Sequence, residues 1–170
     1  MHYLTHATVG ANVIWLSLLA DTIDERIIIL GAAGAIAALL PDIDATAAKI
    51  HFLGGGVLGV FRGGFIHRGF FHSLLAGVAV FILSFIFLRH YQPLLPLAIA
   101  LGYISHPFID GLNYGGVQYF FPYRKKFHIL PKFLRTPVEG LTDRLLLVIS
   151  VGLLLVWFFK IFLATESGII

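Results

Sequence analysis

The chain has 170 residues, of which 58% are hydrophobic, 14% aromatic and only 12% charged, with a mean hydropathy of +0.90. Soluble domains average about 25% charged residues, so the composition argues against one, and its apolar wealth excludes a disordered chain. Cysteine is absent, which removes disulfides and thiolate metal ligands. The length admits about four to six membrane spans at ~20 residues each.

Five apolar segments follow one another between short polar breaks. Ala7–Ala20 ends at Asp21, Asp24, Glu25 and Arg26. It lacks the basic n-region of a signal peptide and is predicted to be a retained helix. Ile27–Leu40 ends at Pro41-Asp42. A glycine-rich stretch, Gly54–Gly64, follows without the Gly-Lys-Ser/Thr of a phosphate loop, and reads as an interfacial or re-entrant segment. Ser73–Leu88 ends at Arg89-His90, Leu94–Ile109 is the fourth segment, and Leu145–Leu163 is the fifth and clearest. Between the last two, the loop 111–138 predicts two short strands around a Pro-Tyr-Arg turn. Its aromatics alternate with Arg124, Lys125 and Lys126. At the end of a membrane helix that pattern favours contact with anionic lipid headgroups over nucleic acid. No internal repeat or linker divides the chain. The expected fold is therefore all-α: residues 1–170 form a single polytopic membrane bundle of about five transmembrane helices, with a short hairpin-like interfacial loop.

Five spans put the N-terminus, the loop 41–72 and the loop 110–144 on one side. That side carries Lys49, Arg62, Arg68, Arg124, Lys125, Lys126, Lys132, Arg135 and Arg144, against Arg26, Arg89 and Lys160 on the other. The asymmetry predicts the first side to be cytoplasmic.

The ionisable residues fall on that same side. His6 starts span one, Asp42 and Asp44 end span two, and His67 and His72 precede or start span three. His106 and Asp110 end span four, and Glu139 and Asp143 start span five. Ionisable groups gathered at one membrane face form a functional-site pattern. Imidazole and carboxylate without thiolate suit zinc, with manganese or iron as alternatives. The i,i+4 spacing of His106 and Asp110 places them on one helix face, though Pro107 between them weakens that geometry. His67 and His72 are five apart and cannot share a regular helix face, but the geometry works if His67 lies in the loop and His72 on the helix. If Pro41-Asp42-Ile43-Asp44 is extended, its carboxylates point to opposite sides, one toward the metal and one toward a ligand histidine. Glu139 and Asp143 also suit plain helix capping.

Three motifs carry a resemblance: Leu40-Pro-Asp-Ile-Asp44, His67-Arg-Gly-Phe-Phe-His-Ser73 and Gly102-Tyr-Ile-Ser-His-Pro-Phe-Ile-Asp110. In this order they resemble the YdjM-like family of inner-membrane, metal-dependent hydrolases, also described as LexA-regulated, from His6 to about Leu155. Phe71 stands where the family pattern usually has Thr. That family is distantly similar to the zinc-dependent phospholipase C and single-strand nuclease group. The resemblance implies Asp42 or Asp44, His67, His106 and Asp110 as a principal metal set, His6 and His72 for a second ion, and Glu139 as a weaker ligand. It also implies phosphoester hydrolysis.

The expected function is a membrane-embedded, metal-dependent hydrolase acting on a lipid or lipid-linked phosphoester. Asp42 or Asp44 would accept the proton of water, and Arg68 would hold a phosphate oxygen. The expected location is the inner membrane with the site facing the cytoplasm. The alternative is a divalent-metal transporter or sensor. Transport sites, however, lie near the bilayer midplane, and here the candidates sit at helix ends.

Overall fold

The computed structural model describes residues 1–18, 26–44 and 69–166. Five α-helices account for most of them: α1 (Tyr3–Leu18), α2 (Arg26–Ala37), α3 (Leu74–Leu88), α4 (Leu95–Asp110) and α5 (Leu141–Glu166). The helices match the five apolar segments in order. Each is rich in apolar residues, and their ends follow local chemistry. Ser73 caps α3, its hydroxyl accepting from Ala76 N at 3.2 Å, which satisfies an otherwise orphaned amide. A proline near the start of α4 occupies a position where no amide donor is needed.

α4 is the central element, packed against α1, α2 and α3, while α5 packs along α1. The close approach of α1, α2 and α4 depends on glycine. A Cβ on Gly34 would collide with the carbonyl oxygen of Gly10, and one on Gly102 with that of Gly34. Small residues at a shared crossing let helix backbones touch, the usual device of membrane bundles. Below this crossing, Ile14, Trp15, Ile27, Leu30, Ala98 and Trp157 form a buried apolar cluster. The Trp15 indole donates to Ile27 O at 2.6 Å.

Among the described residues, α5 alone is long and apolar enough to cross a membrane, and only 11% of its apolar window is buried in the protein. A 26-residue helix reaches about 39 Å at ~1.5 Å per residue, more than the roughly 30 Å hydrocarbon core. Its exposed apolar surface calls for lipid rather than water. The other four helices have 12 to 16 residues.

Two local expectations change. The loop after α4 holds no strands among the described residues. A single antiparallel bridge joins Val117 and Phe127, and an isolated parallel one joins Asn113 and Thr136. The first keeps the reciprocal hydrogen bonds of a hairpin, at 3.0 and 2.9 Å, but pairing does not extend beyond it. Secondly, Leu40–Asp44 is a 3-10 turn rather than an extended segment. It follows α2 closely and aims Asp42 back at the bundle.

Candidate metal centre

The site is assembled from the ends of four helices. His6 lies in the second turn of α1, and Asp42 in the turn after α2. His72 closes a 3-10 turn, Phe70–His72, that leads into α3. His106 and Asp110 occupy the last turn and a half of α4. All three imidazoles are fully buried, Asp110 is 1% exposed, and the Asp42 side chain is 28% exposed. Asp42 is therefore the one partly exposed member of the cluster among the described residues.

The metal-facing nitrogen of His106 is set by the backbone. Its Nδ1 lies 2.7 Å from Ala38 O, and a carbonyl can only accept. Nδ1 thus carries the proton, and Nε2 presents its lone pair inward. Around Nε2 stand His72 Nε2 at 3.2 Å, Asp42 Oδ1 at 3.4 Å and Asp110 Oδ2 at 3.8 Å. His72 Nε2 in turn lies 3.6 Å from Asp42 Oδ1 and 3.8 Å from Asp110 Oδ2. Ligands bound tetrahedrally at ~2.0–2.1 Å stand about 3.3 Å apart by simple geometry. The observed spacings of 3.2–3.8 Å match that figure closely. Lone pairs aimed at one another across such distances repel unless protons or a cation come between them. The donor atoms could hold a divalent ion, with His72, His106 and Asp110 as one candidate set of ligands and Asp42 beside them.

His6 adds a second possibility. Its ring stacks on His106 with centroids 3.6 Å apart and planes 11° from parallel. Among the described residues neither His6 nitrogen makes a hydrogen bond, and Nε2 lies 3.5 Å from Asp110 Oδ1. His6, Asp42 and His106 form one group able to hold an ion, and His72, His106 and Asp110 another. His106 is common to both. The nitrogen of Met1 also reaches Asp110 Oδ1, at 2.7 Å.

Supporting residues hold the ligands in place. The Tyr103 hydroxyl donates to Phe71 O at 2.6 Å and fixes the turn that carries His72. The Tyr119 hydroxyl donates to Pro107 O at 3.0 Å, while Tyr119 O accepts from Leu74 N at 2.9 Å. Tyr119 thereby ties the end of α4 to the start of α3. Burial and the nearby Asp110 carboxylate push the Tyr119 phenol up to about 12. Burial works to raise the Asp42 carboxyl, but the His106 and His72 rings beside it prevail and hold it far below the usual carboxylate range. Burial lowers the His72 imidazole, against the opposing pull of Asp42, so this ring stays neutral and fit for a metal near pH 7.

Of the residues singled out in the sequence, His6, Asp42, His72, His106 and Asp110 come together. Pro107 does not prevent it. The proline lies inside α4 and the helix continues through it, keeping His106 and Asp110 on one face. His67 and Arg68 lie outside the described residues, as does the side chain of Asp44. Glu139 stands apart: it is exposed, and it is in neither His/Asp group. Asp143 is 2% exposed and accepts from Thr5 Oγ1 at 2.6 Å, His2 N at 2.9 Å and Glu139 N at 3.1 Å. It is a clamp between α1 and α5. The Ala38 carbonyl could not have been singled out in advance, because a backbone acceptor has no sequence signature.

The pattern of the YdjM inner membrane protein family matches residues 1–167. The chain belongs to that family. It is a membrane protein, consistent with the exposed apolar surface of α5. The uncharacterized protein YvsG of Bacillus subtilis (strain 168) is 28% identical over 109 residues, which cover 64% of this chain and 66% of YvsG. The chain thus spans just under two thirds of that relative. No solved structure matches it significantly.

Proposed function

We propose that this YdjM-family protein is a metal-dependent phosphoester hydrolase embedded in the inner membrane, with zinc as the first candidate ion. The observation that carries the reading is that Asp42 Oδ1 and Asp110 Oδ2 each lie within 3.4–3.8 Å of both His72 Nε2 and His106 Nε2, which are themselves 3.2 Å apart. A divalent ion in such a site supplies an acidified water and neutralises phosphoryl charge. The protein does the rest. The Ala38 carbonyl holds the His106 tautomer, and Tyr103 holds the His72 turn. Asp42, the partly exposed acid of the set, is assigned the proton of an incoming water. Arg68 is assigned the phosphate oxygen, and the buried walls keep bulk water out. Because the cluster sits at helix ends rather than mid-helix, a substrate entering at headgroup depth, a lipid or lipid-linked phosphoester, fits best.

In this reading the first four helices also cross the bilayer as a bundle around α4. Their short lengths are met by local thinning or by flanking residues. In the same reading the site lies at the cytoplasmic face, which the basic asymmetry favours.

The test is metal analysis of the purified protein together with turnover on mono- and diester phosphates, including phospholipids. His106→Ala should lose both metal and turnover, while His90→Ala keeps both. Stoichiometric metal with no turnover on any phosphoester would retain the site and discard the enzyme. Metal uptake into vesicles containing the protein would then favour the transporter reading.

A further inference from the structure

We propose that the cleft at the N-terminal end of α5 binds the headgroup of a zwitterionic phospholipid, with Arg144 holding the phosphate and Glu139 the ammonium. The cleft is open to its surroundings, has a volume of about 230 Å³ and is lined by His2, Leu4, Glu139, Asp143, Arg144 and Leu147 among others. Its buried acid is already committed. Both oxygens of Asp143 accept hydrogen bonds, from Thr5, His2 and Glu139. The charges available to a ligand are therefore those of Glu139 and Arg144, both exposed. They are opposite in sign and flanked by the apolar side chains of Leu4 and Leu147.

A phosphate beside an ammonium is the chemistry that matches this pair. Arginine grips phosphate oxygens as a planar fork, and a primary ammonium donates to carboxylate. The rest of a phospholipid fits as well. The cleft opens at the start of the helix that is long and apolar enough to cross a membrane. Below Arg144, at steps of four, three and four residues, Val148, Val151 and Leu155 form one helical stripe. They are 70%, 38% and 64% exposed. A headgroup in the cleft would lay an acyl chain along that stripe. Glu139 itself is held at φ 62°, the left-handed region, by the bond from its amide to Asp143. Backbone strain of this kind persists where the surroundings enforce it, ligand clamps among them.

The cleft and the metal centre lie on different faces of the first turns of α1. His2 and Thr5 bond Asp143, whereas His6 faces Asp110. The assignment thus stands whether or not the metal centre hydrolyses anything.

Native mass spectrometry of the full chain, in micelles doped with equal amounts of phosphatidylethanolamine and phosphatidylglycerol, tests it. The wild type should retain one phosphatidylethanolamine in preference. Arg144→Gln should lower retention of both lipids roughly threefold or more. Glu139→Gln should keep phospholipid binding but lose the preference. Both side chains are exposed, so neither change threatens the fold, and His90→Ala should behave as wild type. Equal retention of the two lipids by the wild type, or an unchanged pattern in either variant, overturns the proposal. So does displacement by an equal concentration of acyl-free glycerophosphoethanolamine, which would make the ligand a soluble phosphoester rather than a membrane lipid.

Discussion

At the residue scale, the centre is a set of groups whose protonation is decided by burial and by one another. The His72 imidazole is fully buried and lowered from its ordinary value, so the folded state resists taking a proton there. The unfolded chain takes one up as pH falls through about 6.5. More protons bound in the unfolded state means that stability rises with pH. This contribution is therefore present above about 6.5 and lost progressively below it. The metal-free protein in detergent should show a lower unfolding temperature at pH 5.5 than at pH 7.5, and His72→Phe should flatten that dependence. Protons also compete for the ligands themselves, so bound metal should be released over the same direction of pH change. An unfolding temperature independent of pH would contradict the buried neutral imidazole. Tyr103 offers a milder case. Tyr103→Phe removes the bond to Phe71 O and should cost about 1 kcal/mol of stability. Metal affinity should drop about tenfold, read by competition with a chelator.

At the scale of elements, two kinds of contact hold the helices in register. The first is close backbone approach. Gly34→Val would push a side chain into the carbonyl of Gly10 and separate α1 from α2. Overpacking of this sort costs about 1–3 kcal/mol. Because α1 carries His6 and the turn after α2 carries Asp42, reduced metal occupancy should accompany the loss of stability. The second is a polar seam between α1 and α5. Thr5 meets Asp143, Thr8 lies 2.7 Å from Ser150 Oγ, and the Asn12 amide donates to Ser150 O at 2.9 Å. Asp143→Ala would leave three donors without their acceptor. At about 1–3 kcal/mol for an unsatisfied buried group, thermal unfolding should reveal it readily, with metal occupancy changed far less than in His106→Ala. Equal metal loss in both variants would make the seam part of the centre rather than its scaffold.

Over the whole molecule, the alternation of helices and the basic asymmetry predict a direction. Reporter fusions after Leu112 and at Ile170 should report cytoplasm and exterior, respectively, and the reverse result would remove cytoplasmic substrates from consideration. How much of this was visible beforehand depends on the range of the interaction. Helix positions follow from local apolar runs, so all five segments are legible within a few residues. The shared face of His6, Asp42, His72, His106 and Asp110 is legible too, because successive antiparallel helices return alternate ends to one side. The loop after α4 misleads, since its aromatic and β-branched residues favour strands while the described residues pair only at the isolated Val117–Phe127 and Asn113–Thr136 bridges. Asp143 misleads as well: an acid in the first turn of a helix is indistinguishable from a cap until Thr5 and His2 arrive from 138 and 141 residues away. Composition and periodicity alone determined a membrane-inserted helical chain with a histidine–aspartate cluster at one end. Only the tertiary structure decided that Asp42 faces His72 and His106, that Ala38 fixes the His106 proton, and that Glu139 stands with Arg144 in a separate cleft. Those outcomes turn on distances between residues far apart in the chain, which no local pattern encodes.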